Sequence, residues 1–223
     1  RLVFTICPSW GVIFPPYGLS KIVGAARKGG YACKVYDLNV QLYHNLLKRT
    51  GQDYWASEKF FFWEDKWFFN EYLLKEIEEY LHAAAVKMLS DKPTMIGLSL
   101  YTTNANASLV LIEKLKELDP DVIIIGSTDS RLSLDDQAYA DFQDYDLTSY
   151  LHQDGISIET SRGCVAQCSF CAETYFWKFR SMAPERTVEE MKHHVETYGV
   201  KRFWFVDSLV NGNIKSFRQL VDL

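Results

Sequence analysis

Apolar residues in the first 126 positions fall into short runs that alternate with segments of helical spacing. The runs are rich in β-branched residues and predict four strands, at residues 2–6, 31–37, 95–100 and 121–126. Between the first two runs, Leu19, Ile22 and Val23 recur at helical spacing before Gly29 and Gly30. Helical spacing also predicts helices at about 71–89 and 106–118. This alternation predicts a parallel sheet with right-handed crossovers, and so a doubly wound, Rossmann-like α/β domain.

The fourth run carries a further expectation about its place in the sheet. Residues 121–126 are uninterrupted by polar side chains after Asp121, which is typical of a central parallel strand buried on both faces. Ligands of doubly wound folds bind at the carboxyl ends of the strands. The expected ligand-binding loops are therefore residues 7–17, residues 101–104 and the residues after Gly126.

A second strand–helix pattern begins at residue 156. Two strands are predicted, at residues 156–160 and 202–206. Thr187 is the expected N-cap of the helix between them, Glu190 completes a capping box, and Gly199 ends the helix. Its expected apolar face consists of Met191, Val195 and Tyr198. With another helix from Asn213, this order is that of a (β/α) barrel, of which only about two repeats are present.

Two other segments interrupt these patterns. Residues 39–92 contain a dense aromatic insert, whose side chains are expected to pack in the core or between domains. The alternative is that some of them cover a planar cofactor or line a substrate cavity. Residues 127–154 are polar, acidic and typical of a connector. The predicted domains are therefore 1–135 for the Rossmann-like domain, 136–155 for a linker and 156–223 for an incomplete (β/α) barrel.

Composition and charge narrow the classes of function. The 223 residues are 48% hydrophobic and 15% aromatic, which supports a sizeable core and argues against global disorder. The net charge of −5 does not favour general nucleic-acid binding. Neither an apolar run of the ~20 residues that span a bilayer nor a secretory signal is visible. Because the sequence begins at Arg1 and ends at Leu223 inside a predicted helix, we expect a longer protein.

Three of the five cysteines lie within eight residues. Cys164, Cys168 and Cys171 have the spacing C-x3-C-x2-C, and a loop of this length can direct three thiols at one inorganic group. Thiolates are natural ligands of iron–sulfur clusters and zinc, but a structural zinc site normally needs four. Cys7 and Cys33 are expected to be buried small hydrophobes, with Cys7 facing a ligand as the alternative. Clustered thiols are more typical of a metal site in the reducing cytoplasm than of disulfides.

The cysteine loop follows a strand of a βα series, at the end where barrel enzymes have their active sites. Its C-x3-C-x2-C spacing after Arg162-Gly163, with Phe170 before the last cysteine, resembles the radical S-adenosylmethionine (radical SAM) superfamily. The resemblance implies that the cysteines bind three irons of a 4Fe–4S cluster and that SAM chelates the fourth. One electron would then cleave SAM to methionine and a 5′-deoxyadenosyl radical. The expected SAM-binding residues are Phe170, Glu173 and Asp207.

Features upstream of the cysteine loop resemble the cobalamin-binding radical SAM subfamily. They are the doubly wound domain itself and the sequences at residues 15–19, 97–101, 123–126, 139–150 and 158–163. The resemblance implies that cobalamin binds where the strands of the first domain end. The expected cobalamin-binding residues are Pro8, Ser9, Trp10, Tyr17, Ser99, Tyr101, Thr102, Thr103 and Gly126.

The sequence departs from this subfamily in three ways. Asp37-Leu38-Asn39 replaces the Asp-x-His-x-x-Gly pattern whose His binds cobalt, so cobalamin is expected base-off with no His beneath it. The Gly-Gly-Glu stretch that often contacts SAM is absent, and Asp207 and Ser208 occupy its place. For Asp207 the alternative is an ordinary strand-end cap. The segment before the barrel is short, so residues are expected to be missing near 127–134.

Four further side chains are weaker candidates. Arg162 and Arg180 flank the cysteine loop and can hold a carboxylate or tune a cluster, although surface arginines are common. His193 or His194 would complete a Cys3His zinc site. Adjacent helical residues point about 100° apart, however, and both histidines are expected to be solvated.

The resemblance implies an enzyme, a cobalamin-dependent radical SAM methyltransferase that acts on an unactivated carbon or phosphorus. One SAM would methylate cobalamin, and a second would give the radical that abstracts a substrate hydrogen. The alternatives are a radical SAM enzyme with another outcome, such as a cyclase, and a non-catalytic zinc- or cluster-binding module. The expected partners are a small-molecule or peptide substrate and a flavodoxin- or ferredoxin-like one-electron reductant, without nucleic acid or a membrane span.

Overall fold

The computed structural model describes residues 1–127, 133–171, 173 and 177–223. The chain forms two compact units, of which the first consists of Arg1–Asp129 and Ala140–Leu151. The second consists of Ser130–Tyr139 and His152–Leu223. The polypeptide therefore enters the second unit, returns to the first, and enters the second again. The functional domain limits at residues 135 and 155 stay a prediction.

A parallel sheet organises the first unit. Its strands are β1 (Leu2–Ile6), β2 (Cys33–Asp37), β3 (Met95–Ser99) and β4 (Ile124–Ser127). Its helices are α1 (Tyr17–Lys28), α2 (Leu38–Thr50), α3 (Phe61–Glu64), α4 (Lys66–Phe68), α5 (Lys75–Ser90) and α6 (Ala105–Leu118), with a π-helical segment at Phe69–Leu74. Short 3-10 turns lie at Ser57–Lys59, Thr102–Asn104 and Leu147–Ser149. The strand order β2-β1-β3-β4, all parallel, confirms the predicted α/β class.

The prediction for the fourth strand is wrong in one respect. Among the strands that the structure describes, β4 pairs only with β3 and lies at the edge of the sheet. Ile123 and Ile125 are 54% and 45% exposed rather than buried on both faces. β-branched residues are enriched in strands generally, so this run predicts a strand without fixing its place in the sheet.

The aromatic insert packs largely within the first unit. Trp55, Trp63 and Phe69 are buried, and the rings of Trp55 and Trp63 meet edge to face with centroids 4.8 Å apart. The indole N–H of Trp63 donates to the carbonyl oxygen of Tyr54 at 2.8 Å, so its polar atom is satisfied. The predicted packing role is confirmed for these side chains, whereas Trp67 is 59% exposed.

Residues 140–151, predicted as part of a connector, are bound firmly to the first unit. Phe142 is 1% exposed, and Arg27 of α1 forms ion pairs of 2.7 Å with both Asp141 and Asp144. Asp144 also accepts a hydrogen bond from the backbone N–H of Val35 in β2 at 2.8 Å. The acidic residues that made this segment resemble a solvated linker are therefore its anchors.

The second unit contains two pairs of strands. Its strands are β5 (Gly155–Ile158), β6 (Ser161–Arg162), β7 (Arg180–Ser181) and β8 (Arg202–Phe205), and its helices are α7 (Pro184–Tyr198) and α8 (Ile214–Asp222). β5 and β8 are parallel, with α7 between them in sequence, as predicted for a βα series. β6 and β7 form an antiparallel ribbon that the sequence analysis did not foresee. None of the helices in the described ranges has the length and apolar character needed to cross a membrane.

The predicted start of α7 is wrong. The helix begins at Pro184, with Ala183 at the N-cap and no side-chain cap. Thr187 lies one turn inside, where its hydroxyl donates to the carbonyl oxygen of Ala183 at 3.3 Å. Glu190 is fully buried 3.5 Å from His194, so it does not complete a capping box. Proline at the first helical position sets the start, because its missing N–H needs no partner there.

The buried face of α7 also differs from the prediction. Val195 is 47% exposed, whereas His194, expected to be solvated, is fully buried. His193 stacks on Tyr139, with ring centroids 5.0 Å apart, and the guanidinium of Arg186 lies 3.9 Å from the same ring. Residues 133–139 thus cover the polar side of this helix. Gly199, with φ of 68°, ends α7 as predicted, and the helix predicted from Asn213 begins at Ile214 with Asn213 as its N-cap.

A buried carboxylate gives a test of how residues 140–151 are held. Asp37 ends β2, and it accepts hydrogen bonds from two backbone N–H groups of α2 and from the hydroxyl of Tyr150. Burial raises the pKa of Asp37, and the hydrogen bond from Tyr150 opposes that rise. We expect Tyr150→Phe to lower the free energy of unfolding by about 2 kcal/mol at neutral pH, measured by urea denaturation.

The loss should shrink as the pH falls through the raised pKa of Asp37, because a protonated carboxyl needs the donor less. Tyr31→Phe, at a 62% exposed tyrosine of the same unit, is the control and should change stability by less than about 0.5 kcal/mol. Equal effects of the two variants at neutral pH would contradict the assignment.

Candidate metal centre

The antiparallel ribbon of β6 and β7 closes the base of the cysteine loop. Ser161 pairs with Ser181 and Arg162 with Arg180, so the two predicted arginines are cross-strand neighbours. The side chain of Arg162 makes two hydrogen bonds to Glu159, at 2.6 and 2.7 Å. This bidentate pair joins two residues at the entry to the loop. The carboxylate that Arg162 holds is therefore one of the chain's own.

Gly163 makes the turn from β6 into the loop. Its φ of 81° lies in the region that residues with a side chain rarely adopt. A Cβ at this position would lie 3.0 Å from backbone atoms of both Trp177 and Lys178 on the returning arm. The Arg-Gly pair before the first cysteine thus has a local reason, because only glycine allows the two arms to approach so closely.

The three thiols are accessible but not gathered. Cys164 is half-buried, and Cys168 and Cys171 are exposed. The backbone N–H of Ala166 points at the Sγ of Cys164 at 3.4 Å, and the N–H of Cys171 donates to the carbonyl oxygen of Cys168 at 3.1 Å. No group of three His, Cys, Asp or Glu side chains converges to hold a metal within the ranges that the structure describes.

The donor set nevertheless fits an iron–sulfur cluster. Three soft thiols lie on one accessible loop, and an amide N–H directed at sulfur is the kind of contact that tunes such clusters. A site whose ligands are brought together only on binding is common, because metal binding is coupled to the ordering of its loop. The three thiols therefore fit a cluster chemically, and their gathering would accompany its binding.

The predicted SAM-binding residues occupy three different environments. Phe170 is 90% exposed and is part of no described aromatic pair. The carboxylate of Glu173 accepts a hydrogen bond of 2.6 Å from the hydroxyl of Ser208, which follows β8. Asp207 accepts bonds from Thr160, through both its N–H and its hydroxyl. Their binding of SAM stays a prediction.

In the first unit, the loops after β1 and β3 meet where the strand order reverses. This is the point at which doubly wound sheets bind their ligands. Trp10 stacks on Tyr101 with ring centroids 4.1 Å apart. The hydroxyl of Thr103 donates to the carbonyl oxygen of Ser9 at 2.7 Å, and the N–H of Ser9 to the carbonyl oxygen of Thr103 at 3.4 Å. The structure thus brings four of the predicted cobalamin-binding residues together.

One buried hydroxyl in the loop after β1, that of Ser9, is not hydrogen-bonded within the part of the chain that the structure describes. Its Oγ has no hydrogen-bond partner among the residues that the structure describes, although the side chain is fully buried. Such a group normally finds a partner, so the loop has one polar atom available for a ligand. Tyr17 is buried at the start of α1, and a Cβ at Gly18 would lie 3.7 Å from the Tyr101 hydroxyl. The geometry fits a ligand at this edge.

The remaining predicted residues lie at the same strand ends. Ser99 is the buried last residue of β3, and Thr102 is exposed in the turn after it. Gly126 lies in β4, where a Cβ would come within 2.6 Å of the Leu100 side chain. Pro8 directly follows the end of β1 and is buried. Their binding of cobalamin stays a prediction.

Asn39 is a further candidate at this edge, because its side chain holds the loop after β1. Its side chain is 1% exposed, accepts from the N–H of Trp10 at 2.9 Å and from the indole N–H of Trp55 at 2.7 Å. It also donates to the carbonyl oxygens of Trp10 and Gly11, at 3.1 and 3.4 Å. Asn39 therefore holds the loop that carries Trp10. The only signal in the sequence was its position, where the family pattern has the cobalt-binding His.

The other two cysteines are placed differently. Cys7 is 1% exposed, and burial raises the pKa of its thiol to about 12, so it stays protonated at neutral pH. Its predicted role as a small core residue is confirmed. Cys33 is only half-buried, so the prediction that it is buried is wrong, because it begins the edge strand β2. Its Sγ lies 3.3 Å from the carbonyl oxygen of Tyr31.

Comparisons with known proteins agree with this description. No family model matches the chain. It is 35% identical over 63 residues to a cytidylyl-2-hydroxyethylphosphonate methyltransferase of Streptomyces wedmorensis, a match that covers 27% of this chain and 12% of that protein. It is similar over its whole length to the radical S-adenosylmethionine methyltransferase TsrM of Kitasatospora setae, solved with tryptophan and a SAM analogue, with a TM-score of 0.57 and 15% identity.

The chain spans about half of the TsrM chain and a small part of the curated relative. At 15% identity, the structural likeness shows the fold alone. The chain therefore shares its fold with part of a radical SAM methyltransferase.

The turn at Gly163 gives a test of the loop with a matched control. Gly163→Ala meets both a positive φ and a crowded returning arm, whereas Gly30→Ala, with φ of 82°, meets open space. Gly30→Ala should cost about 1–2 kcal/mol through backbone strain alone. Gly163→Ala should in addition speed amide exchange in the ribbon and lower the iron bound per chain after anaerobic reconstitution. Identical exchange and iron content in the two variants would show that the close approach has no effect.

Proposed function

We propose that this chain belongs to a cobalamin-dependent radical SAM methyltransferase. The observation that carries the proposal is the accessible C-x3-C-x2-C loop, which follows a parallel strand of a βα unit and is closed by the β6–β7 ribbon. The fold that it shares with TsrM supports the same reading. The similarity to a second methyltransferase favours methyl transfer over cyclisation.

Cys164, Cys168 and Cys171 would hold a 4Fe–4S cluster through three of its irons. When bound, such a cluster with an open iron supplies the electron that cleaves the sulfonium of SAM. The chain's part is to present three thiolates and to leave the fourth position to SAM. Gly163 brings the arms of the loop together, and Arg162 is neutralised by Glu159, so the base of the loop carries no unpaired cation from this arginine.

The exposure of Phe170 supports a role in covering SAM. Its ring is 90% exposed beside the last cysteine, and covering an exposed phenylalanine ring with a flat, partly apolar group is favourable. We propose that it packs on the adenine region of SAM. Glu173, which accepts a hydrogen bond from Ser208, is proposed to contact SAM from the arm after Cys171, and Asp207 is bonded to Thr160 on the arm before Cys164.

Cobalamin would bind at the carboxyl ends of β1 and β3 in the first unit. The stacked rings of Trp10 and Tyr101 offer a flat apolar surface, and the orphaned hydroxyl of Ser9 offers a polar atom. When bound, cobalamin supplies a carrier for the methyl group. Asn39 has the place of the cobalt-binding His, and its amide is already engaged with Trp10, Gly11 and Trp55. We therefore propose base-off binding.

The substrate is proposed only by class, as a small molecule or peptide with an unactivated carbon or phosphorus to be methylated. A flavodoxin- or ferredoxin-like protein would supply the electron. A non-catalytic zinc module is the competing function, and three thiols with no fourth ligand among the described residues argue against it.

The cluster can be tested by anaerobic reconstitution with iron and sulfide. The parent protein should bind about four irons, absorb as a 4Fe–4S protein and release methionine and 5′-deoxyadenosine from SAM after reduction. Cys168→Ala should lose the cluster and SAM cleavage. Cys33→Ala, at a cysteine outside the loop, is the matched control and should retain both.

One zinc per chain without iron, or a cluster that survives Cys168→Ala, would overturn the proposal. Cleavage of SAM without methyl transfer to any acceptor would instead favour a radical SAM enzyme of another outcome.

The cobalamin site can be tested by the content of bound cobalamin after reconstitution, read from its absorption spectrum. Trp10→Ala should reduce binding about tenfold, because it removes one of the two stacked rings that form the aromatic surface. Trp67→Ala, at a 59% exposed tryptophan of the insert, should leave binding unchanged. Equal loss in both variants, or no binding by the parent, would contradict this part of the proposal.

A further inference from the structure

We infer that residues 207–212 are a clamp that holds both arms of the cysteine loop. Asp207 and Ser208 are its positioning residues, Asp207 for the arm before Cys164 and Ser208 for the arm after Cys171. The inference rests on the proposed function, because it assigns these residues to the placement of the loop that would bind the cluster. In this inference Asp207 binds backbone of the entry arm rather than SAM.

The carboxylate of Asp207 holds the entry arm at the point where the strand becomes the loop. Its Oδ1 accepts from the N–H of Thr160 at 2.9 Å, from the hydroxyl of Thr160 at 3.0 Å and from the N–H of Ser161. Bonds to a carboxylate are stronger than bonds between neutral groups. Three donors on one oxygen therefore fix the direction in which the chain leaves β5 for β6.

The described hydrogen bonds to this carboxylate all come from the entry arm and all end on one oxygen. Its Oδ1 is fully engaged, and its Oδ2 is buried and has no hydrogen-bond partner among the described residues. A second contact supports the entry arm nearby, since the hydroxyl of Ser161 donates to the carbonyl oxygen of Leu209 at 3.1 Å. The clamp thus holds the entry arm at two successive residues.

The exit arm is held by the next two contacts of the clamp. The hydroxyl of Ser208 donates to Glu173 at 2.6 Å, two residues after Cys171. Further along, Gly212 lies beneath the ring of Phe179, where a Cβ would come within 2.4 Å of that ring. One short segment therefore contacts both sides of the cysteine loop.

The clamp is itself anchored to the sheet. It follows β8, which pairs with β5 over four residues, and the N–H of Val206 continues the ladder to the carbonyl oxygen of Ile158 at 3.0 Å. Between the two held arms, Cys168 and Phe170 remain exposed. Fixed arms with an adaptable centre lower the entropy that is lost when three thiolates gather on a cluster.

The first test needs no cluster. In the metal-free protein, Ser208→Ala should speed amide exchange on the exit arm, at residues 171–173, about fivefold, because a bond to a carboxylate is lost. Ser208→Thr keeps a hydroxyl and should restore the parent rate. Ser57→Ala removes a serine that bonds a neighbouring glutamate, Glu58, at 3.4 Å in the first unit, and should change nothing on the loop.

The second test uses the reconstituted protein. Ser208→Ala and Asp207→Asn should release iron to a chelator about fivefold faster in the absence of SAM, while the KM for SAM of the chains that retain the cluster stays within about twofold of the parent. A direct contact with SAM would give the opposite split, a raised KM and unchanged release of iron. That split for Asp207→Asn would overturn its positioning role.

Failure of the clamp and failure of the proposed function give different results. Unchanged amide exchange in Ser208→Ala, relative to Ser57→Ala, overturns the clamp even if the parent binds a cluster. A parent protein that takes up no cluster overturns the proposed function, while the exchange experiment still decides whether the arms are held.

Discussion

Parallel pairing of strands is the constraint on which both units depend. Strands that run in one direction bring all their carboxyl ends to the same edge of the sheet. Strand pairing therefore brings together residues that are distant in sequence. In the first unit this pairing brings Ser9 and Trp10 to Thr103 and Tyr101. In the second it brings the segment after β8 to the start of the cysteine loop, 47 residues upstream.

An aspartate converts a strand end into an anchor in each unit. Asp37 ends β2 and accepts from two backbone N–H groups of α2 and from Tyr150. Asp207 follows β8 and accepts from two backbone N–H groups and a hydroxyl of the entry arm. A carboxylate oxygen that is removed from water is costly unless it accepts hydrogen bonds, and in both residues Oδ1 accepts them from backbone N–H groups that lie next to a strand end. The hydrogen bonds that these carboxylates accept thereby restrain the adjacent backbone.

The parts of the fold that depend on local pattern could be predicted, and those that depend on tertiary neighbours could not. The strands of the first sheet follow from apolar runs, and the end of α7 follows from the residue type of Gly199. The edge position of β4 could not be read from its own residues. Glu190 was expected to complete a capping box at the start of α7, yet it is buried within the helix beside His194. Its burial depends on tertiary packing that the sequence of the helix does not reveal.

The candidate site shows the same division. The three thiols are predicted as cluster ligands from features that are local to one short loop, namely their spacing, the preceding strand and Arg162-Gly163, and Phe170. The ribbon that closes the loop is two residues long on each side, too short to produce a periodic signal. Asn39 stands where the Asp-x-His-x-x-Gly pattern has its His, and that position alone does not predict its role in holding the loop. The role depends on a hydrogen bond to Trp10, which lies 29 residues away in the sequence.

A loop that binds a large inorganic group faces two opposing demands. Thiols that are gathered without the group would crowd three sulfurs together, and thiols on a fully free loop would lose much entropy on binding. The described loop answers both, since its thiols are separate and accessible while its two arms are tied to the end of β8. Binding of the proposed cluster would therefore have to offset the cost of ordering the residues between Cys164 and Cys171.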